Sequence, residues 1–193
     1  MRELIAYASS FDNEKRNGGF MMNYGIAIFP SKKIQDEANA LRKRYDPQYT
    51  KIPPHVTLKS AFTMDEVTRD QVIQELKKIA NDTKPFTIHI SKVSSFAPVT
   101  HTIYFKVEPI PELTILFDKM HSGIFPDNNE YSFVPHITLA QDLMEDEYSD
   151  VYSSLRMKEV GLDDTVDRFQ LCYQLDDGSW TVYESFVFGQ ETT

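Results

Sequence analysis

Two short segments of this chain are near-copies of each other and carry the same polar side chains at the same spacing. They are Pro54-His55-Val56-Thr57-Leu58 and Pro135-His136-Ile137-Thr138-Leu139. In each, a histidine and a threonine stand two positions apart within an apolar, β-branched run. Side chains alternate between the two faces of a β-strand, so the histidine and threonine of each segment are expected to share one face. The pair of segments therefore predicts two imidazoles and two hydroxyls around one cleft.

This set of groups suits the chemistry of phosphate esters. An imidazole titrates at about pH 6.5, so one of His55 and His136 can accept a proton while the other donates one. The hydroxyls of Thr57 and Thr138 can donate hydrogen bonds to phosphate oxygens and stabilise the charge that develops there. On these grounds either histidine fits either role, and the chemistry needs no metal or other cofactor. Lys59 is a weaker candidate for a phosphate contact, and the alternative is a surface lysine at a strand end.

Other readings of these residues have less support in the sequence. A zinc site would need a third or fourth ligand, and neither segment contains a cysteine or a carboxylate. The stretch His89-Ile90-Ser91 mimics half of the pattern but lacks the flanking proline and leucine. We interpret it as part of an ordinary half-exposed strand. A lone strand histidine usually has a structural role, so the duplication is what favours a functional site.

The composition describes a globular protein without an obvious affinity for membranes. The chain has 193 residues, 41% of them hydrophobic, which suits one domain or two small lobes. The net charge of −9 argues against tight, non-specific binding to long nucleic acid. We see no apolar stretch of membrane-spanning length and no signal-peptide layout. The single cysteine, Cys172, cannot form a disulfide within the chain, which fits a cytoplasmic protein.

The charge is unevenly distributed along the chain. Basic residues concentrate between positions 32 and 59, around the first His-x-Thr segment, and acidic residues concentrate between 142 and 167. A basic neighbourhood can attract an anionic ligand. For most of these residues, however, a solvated helix face is the simpler interpretation.

From Tyr24 onward, hydrophobic periodicity and turn residues predict a regular order of elements. The predicted strands are Tyr24–Phe29, one holding His55, Phe86–Val93, Thr102–Val107, one holding His136, Val166–Leu175 and Trp180–Phe188. The predicted helices are Ser31–Tyr45, Asp65–Asn81, Pro111–His121 and an acidic helix, Met144–Glu159. Asp176-Asp177-Gly178 is predicted to join the last two strands as a hairpin turn.

This order contains an internal repeat. A strand from Tyr24 ends at a proline and is followed by a helix, a loop and His55, about thirty residues later. A strand from Tyr104 leads through the same sequence of elements to His136, at nearly the same distance. We predict an α+β protein with a bilobal duplicated fold. Two mainly antiparallel sheets with outer helices would surround a central cleft, related by pseudo-two-fold symmetry.

The domain boundaries follow from the same pattern. Residues 1–21 mix charges with an Asn-Gly-Gly run and are interpreted as an N-terminal extension, or else as a short helix docked on the body. Residues 22–189 form a single bilobal domain in this prediction, and 190–193 form a C-terminal tail.

Two His-x-Thr segments about eighty residues apart, each on a strand of a duplicated lobe, resemble the 2H phosphoesterase superfamily. The chain is similar in particular to the YjcG-type phosphoesterases, which are related to 2′-5′ RNA ligases and cyclic phosphodiesterases. The similarity also lies in four further stretches, Tyr24–Lys33, Arg44–Pro47, Ser94–Val99 and Gly178–Glu184. The resemblance implies that His55 is the proton donor and His136 the acceptor.

We expect a metal-independent phosphoesterase that hydrolyses a cyclic phosphodiester, either a 2′,3′-cyclic phosphate at an RNA end or a cyclic nucleotide. The partner would be a small nucleotide or RNA-end substrate. RNA-end ligation is an alternative within the same superfamily. A non-catalytic protein that binds nucleotides or RNA ends is an alternative of a different class.

Overall fold

The computed structural model describes residues 22–126 and 132–189. The predicted N-terminal extension, 1–21, and the predicted tail, 190–193, lie outside these residues. Within them the strands are β1 Met22–Ile28, β2 Val56–Met64, β3 Phe86–Ser95, β4 Ile103–Val107, β5 His136–Ala140, β6 Glu159–Val166, β7 Arg168–Gln174 and β8 Trp180–Val187. The helices are α1 Lys32–Tyr45, α2 Glu66–Asn81, α3 Pro111–Lys119 and α4 Glu145–Leu155.

The strands form two four-stranded sheets in which every described pairing is antiparallel. The first sheet has the order β2-β1-β7-β8, and the second has the order β5-β4-β3-β6. The strand–helix–strand units β1-α1-β2 and β4-α3-β5 occupy equivalent places in the two sheets. This arrangement confirms the predicted α+β fold, its duplication and its pseudo-two-fold symmetry.

The helices of each unit pack across to the other unit. Helix α1 contacts β5, and α3 contacts β2. In α1 the buried side chains are Ile34, Ala38 and Arg42, four residues apart, so they form one stripe along the helix. Helix α2 is capped by Asp65, whose carboxylate accepts a hydrogen bond from the backbone N–H of Thr68 at 2.8 Å. None of the helices in the described part of the chain is long and apolar enough to cross a membrane.

The predicted hairpin turn between β7 and β8 is confirmed. The backbone N–H of Gly178 donates to the carbonyl of Leu175 at 2.8 Å, and Gly178 has a φ of +81°. Glycine adopts this left-handed conformation without steric cost.

The acidic region differs from the prediction. Helix α4 ends at Leu155 rather than Glu159, and the residues that follow form β6, which was not predicted. Along β6 the side chains alternate between exposed and half-buried, because it is an edge strand with one face towards solvent. Acidic side chains are uncommon in strands, so strand propensity does not indicate β6 in the sequence. A single residue, Asp167, separates β6 in the second sheet from β7 in the first.

Candidate active site

The two His-x-Thr segments face each other across a cleft between the sheets. His55 lies immediately before β2 and His136 is the first residue of β5, so both stand where a loop enters a strand. The space between them is about 710 Å³ when the opening of the cleft to solvent is counted. It is lined by Arg42, Asp46, Gln48, Lys51, Ile52, Pro54, His55, Thr57, Phe96, Thr102, His136, Thr138, Gln141 and Trp180.

Both histidines are oriented by the same local hydrogen bond. The Nδ1 atom of His55 lies 2.8 Å from the carbonyl oxygen of Pro53, and that of His136 lies 2.7 Å from the carbonyl oxygen of Val134. A carbonyl only accepts hydrogen bonds, so Nδ1 must carry the proton and donate it. In each neutral imidazole the lone pair is therefore on Nε2. Each segment thus fixes the tautomer of its own histidine through a residue two positions upstream.

The surroundings of His55 lower its pKa from 6.5 to about 4. The main cause is loss of contact with water in the cleft, and the positive charges of Arg42 and, when protonated, His136 act in the same direction. The carbonyl of Pro53 and the carboxylate of Asp46 oppose this effect. His55 is therefore neutral at pH 7.

Aromatic rings support both imidazoles. The ring of Phe29 lies edge-on to His55, with 6.1 Å between centroids. Phe96 lies perpendicular to His136 at 4.9 Å, and Tyr104 is tilted against the same imidazole at 5.1 Å. These rings restrict the imidazoles to one orientation and exclude water from one side of each.

The threonine hydroxyls reach the cleft because each strand keeps regular alternation up to that point. A β-bulge follows immediately in β2. Thr57 lies opposite Ala27, but the next residue of β1, Ile26, lies opposite Lys59. Leu58 and Lys59 together thus oppose one residue, and the alternation of faces is interrupted.

The second segment has the same irregularity. Thr138 lies opposite Tyr104, whereas the adjacent Ile103 lies opposite Ala140. The two strands therefore share a bulge at the residues that follow the threonine, as well as the motif itself.

The bulge explains why Lys59 does not line the cleft. It turns the side chain to the face of Ile26, where the residue is 1% exposed. The Nζ of Lys59 donates to the carbonyl of Pro126 at 2.7 Å and lies 5.5 Å and 6.0 Å from the ring centroids of Phe62 and Phe125. The alternative interpretation, a surface lysine, is wrong. We do not carry the predicted phosphate contact of Lys59 into the functional proposal.

A buried polar network beside His55 was missed by the sequence analysis. Arg42 Nε lies 2.7 Å from Asp46 Oδ2, and both side chains are almost fully buried. The Nη2 of Arg42 donates to the carbonyl oxygens of Ile52 at 2.8 Å and Gln48 at 3.2 Å. Asp46 Oδ1 accepts from Gln141 Nε2 at 2.8 Å and from the backbone N–H of Gln48 at 2.9 Å. The network fixes the loop that leads into His55.

One signal in the sequence could have revealed this network. Arg42 continues the four-residue spacing of Ile34 and Ala38, which form the buried stripe of α1. A charged residue on such a stripe needs a partner of opposite charge, and Asp46 stands one further turn along.

The remaining histidines of the described chain lie elsewhere. His89 is on β3, where its Nδ1 lies 2.7 Å from Asp163 Oδ1, outside the cleft as expected. His101 stacks on Tyr148 at 4.8 Å and His121 packs on Phe117 at 4.0 Å. Residues 22–126 and 132–189 contain no group of three or more His, Cys, Asp or Glu side chains arranged to hold a metal ion.

Two pseudo-symmetric antiparallel sheets, each bringing a His-x-Thr segment to a shared cleft, define the architecture of a 2H phosphoesterase. A family model described as the 2′-5′ RNA ligase superfamily matches residues 30–178. The chain belongs to this superfamily and is a phosphoesterase.

Curated relatives agree with this assignment. A protein of Oceanobacillus iheyensis named as a candidate phosphoesterase is 62% identical over 170 residues, which make up 88% of this chain and 100% of that protein. A similarly named protein of Bacillus mycoides is 54% identical over 170 residues, covering 88% of this chain and 99% of that protein.

Solved structures share the fold. Escherichia coli LigT in complex with 3′-AMP has a TM-score of 0.66 at 15% identity, covering 89% of this chain and 100% of that one. A protein of Thermus thermophilus has a TM-score of 0.68 at 18% identity, covering 89% and 100%.

Proposed function

We propose that this phosphoesterase hydrolyses a cyclic phosphodiester, at an RNA end or in a small nucleotide, by acid–base catalysis between His55 and His136. The observation that carries the proposal is the matched state of the two imidazoles. Both line one cleft, and both donate Nδ1–H to a carbonyl two residues upstream. Proton transfer to or from substrate is therefore assigned to Nε2 in both.

The reaction needs one proton to leave water and one to reach the departing oxygen. A neutral imidazole takes a proton from a water molecule while the oxygen of that water attacks phosphorus. The P–O bond to one ribose oxygen then breaks. A protonated imidazole on the other side donates its proton to that ribose oxygen, so the ring opens to a phosphate monoester. The hydroxyls of Thr57 and Thr138 donate hydrogen bonds to the non-bridging oxygens, where negative charge increases.

The pKa of His55 bears on which histidine plays which part. With a pKa of about 4, His55 enters the reaction neutral and fits the acceptor, which leaves His136 as donor. This assignment is the reverse of the one that the family resemblance implies. A substrate with a p-nitrophenolate leaving group separates the two, since such a group departs without a proton. We expect this substrate to restore activity to His136→Ala but not to His55→Ala.

The substrate class is supported by the cleft and by the structural neighbours. LigT has been crystallised with 3′-AMP, with ATP, with NADP⁺ and with phosphate. The ring of Phe96, half-buried in the lining of the cleft, offers a surface on which a base can stack. Lys51 adds a positive charge at the same opening.

The direct test is hydrolysis of 2′,3′-cyclic nucleotides and of oligonucleotides with a cyclic phosphate end, in the presence of EDTA. We expect turnover by the parent and a loss of about 10²–10⁴-fold in His55→Ala and His136→Ala. His89→Ala is the matched control, because it removes an exposed histidine outside the cleft. Loss of activity with EDTA would refute the metal-independent mechanism.

Ligation is the second candidate, supported by the family description. The same groups would act if the 5′-hydroxyl of a second RNA attacked phosphorus in place of water. Adding a 5′-hydroxyl oligonucleotide to the assay distinguishes the two, because joining yields a longer product. Nucleotide binding without any turnover would instead favour the non-catalytic binding protein.

We also propose that residues 22–189 contain the complete site. Among residues 22–126 and 132–189, those that line the cleft all lie between Arg42 and Trp180. A chain that begins at Met22 should therefore retain the kcat/KM of the full chain, and a loss greater than tenfold would assign a functional part to residues 1–21.

A further inference from the structure

We propose that each His-x-Thr segment is positioned by the other, through two reciprocal hydrogen bonds that together set the separation of the two imidazoles. We call Asp46–Gln141 and Lys59–Pro126 the cross-motif hydrogen bonds. The role in catalysis rests on the proposed function, whereas the role in positioning does not. Asp46, Gln141 and Lys59 are positioning residues in this scheme.

The first cross-motif hydrogen bond runs from the second segment to the loop before the first. Gln141, five residues after His136, donates from Nε2 to Asp46 Oδ1 at 2.8 Å. Asp46 stands nine residues before His55. Its position is fixed independently by the buried contact with Arg42, so the carboxylate is a rigid acceptor rather than a mobile one.

The second cross-motif hydrogen bond runs in the opposite direction. Lys59, four residues after His55, donates from Nζ to the carbonyl of Pro126 at 2.7 Å. Pro126 stands ten residues before His136. Lys59 is 1% exposed, and a buried ammonium of this kind is retained only where its hydrogen bonds hold it.

The two hydrogen bonds are therefore pseudo-symmetric in position although their chemistry differs. In both, a residue that closely follows one motif donates to the segment that leads into the other motif. The helices also contact the opposite unit, because α1 packs on β5 and α3 packs on β2. Each hydrogen bond therefore joins the chain segment before one histidine to the strand region after the other histidine. A displacement of about 1 Å between reacting groups can cost on the order of 10²-fold in rate, so this distance matters.

The charged and titratable groups that line the cleft with His55 are Arg42 of α1, Asp46 and Lys51 of the loop, and His136 of β5. Gln141 is neutral, so replacing it leaves this set of charges unchanged. A change in the titration of His55 in a Gln141 variant would then report a change in geometry.

The experiment compares Gln141→Met and Lys59→Met with the parent. Methionine matches the length of glutamine, is one atom shorter than lysine, and removes the donor from both positions. The matched controls are Gln35→Met, which removes an amide hydrogen bond to Pro30 within one lobe, and Lys77→Met, which removes a lysine near Glu184. Steady-state kinetics on a 2′,3′-cyclic nucleotide, thermal unfolding and NMR titration of the histidine Cε1–H resonances are measured for each.

We expect kcat to fall between tenfold and 100-fold in both test variants, with KM within threefold of the parent, and both controls to match the parent. Lys59 lies outside the cleft, so a fall in the kcat of Lys59→Met cannot come from a lost substrate contact. The inference is overturned if folded Gln141→Met keeps a parental kcat and a parental His55 titration. If Lys59→Met does not fold, the His55 titration in Gln141→Met decides, because Gln141 itself lines the cleft and its kcat also reports any lost substrate contact. If the parent shows no turnover, the proposed function fails, and the NMR titration still tests the positioning.

Discussion

Acidification offers a quantitative test of the site, because His55 is held neutral in the folded protein. Its pKa is lowered from 6.5 to about 4 by desolvation, with Arg42 and His136 as additional causes. In the unfolded chain the imidazole takes up a proton near its ordinary pKa. Between these values the unfolded state binds more protons than the folded state, so stability must fall as the pH falls.

The magnitude follows from the difference between the two values. A fall from 6.5 to about 4 multiplied by about 1.36 kcal/mol per pKa unit gives about 3 kcal/mol. We regard this as an upper limit, because His55 is half-buried and solvent at the cleft opening screens part of the effect. The contribution of His55 is present in full above about pH 6.5, declines below it, and is lost by about pH 4.

The assay is urea unfolding of the parent and of His55→Asn at pH 7, 6, 5 and 4. The difference between the two free energies of unfolding isolates His55 from every other titrating group. We expect the parent to lose up to about 3 kcal/mol relative to the variant between pH 7 and pH 4. Parallel pH dependence of the two proteins would refute the reasoning, as would an NMR titration that places the pKa of His55 near 6.5.

Further predictions concern the network, the hydroxyls and the thiol. Asp46→Asn leaves the buried Arg42 without its counter-charge, and we expect a loss of about 3–5 kcal/mol in urea unfolding; a loss below 1 kcal/mol would contradict the buried pair. Thr57→Val and Thr138→Val each remove a hydroxyl without changing shape, and should lower kcat/KM by about 10²-fold with unfolding unchanged. A fall of less than threefold would exclude a phosphate contact. Cys172 is 2% exposed, and burial raises its pKa to about 12, so a disulfide reagent should label it only under unfolding conditions. Rapid labelling of the native protein would contradict this burial.

The duplication was predictable because the same motif occurs twice in the sequence, in the same local context. His55 and His136 each follow a proline and precede a β-branched residue, and both recur at the same distance after a strand. Composition and spacing were therefore sufficient for the α+β fold, the two lobes and the meeting of both motifs at one cleft.

Lys59 could not be placed from sequence, because the prediction assumed an uninterrupted period of two. The bulge at Leu58 and Lys59 depends on pairing with β1, and pairing is a tertiary property. Strand β6 was concealed for a related reason, since solvent on one face tolerates acidic side chains that strand propensity disfavours. The network of Arg42 and Asp46 was overlooked because a basic run suggests a solvated surface.

The junction between β6 and β7 has a consequence for the way the cleft works. Asp167 alone connects the two sheets there, and its carbonyl accepts a hydrogen bond from the backbone N–H of Phe188 at 2.8 Å. Nearby, Asp164 of β6 accepts from the backbone N–H of Ser31 at 2.7 Å, at the start of α1. Hydrogen bonds on both sides of this one-residue connection oppose bending there. We therefore expect the two sheets to keep their relative orientation at this junction when a substrate binds.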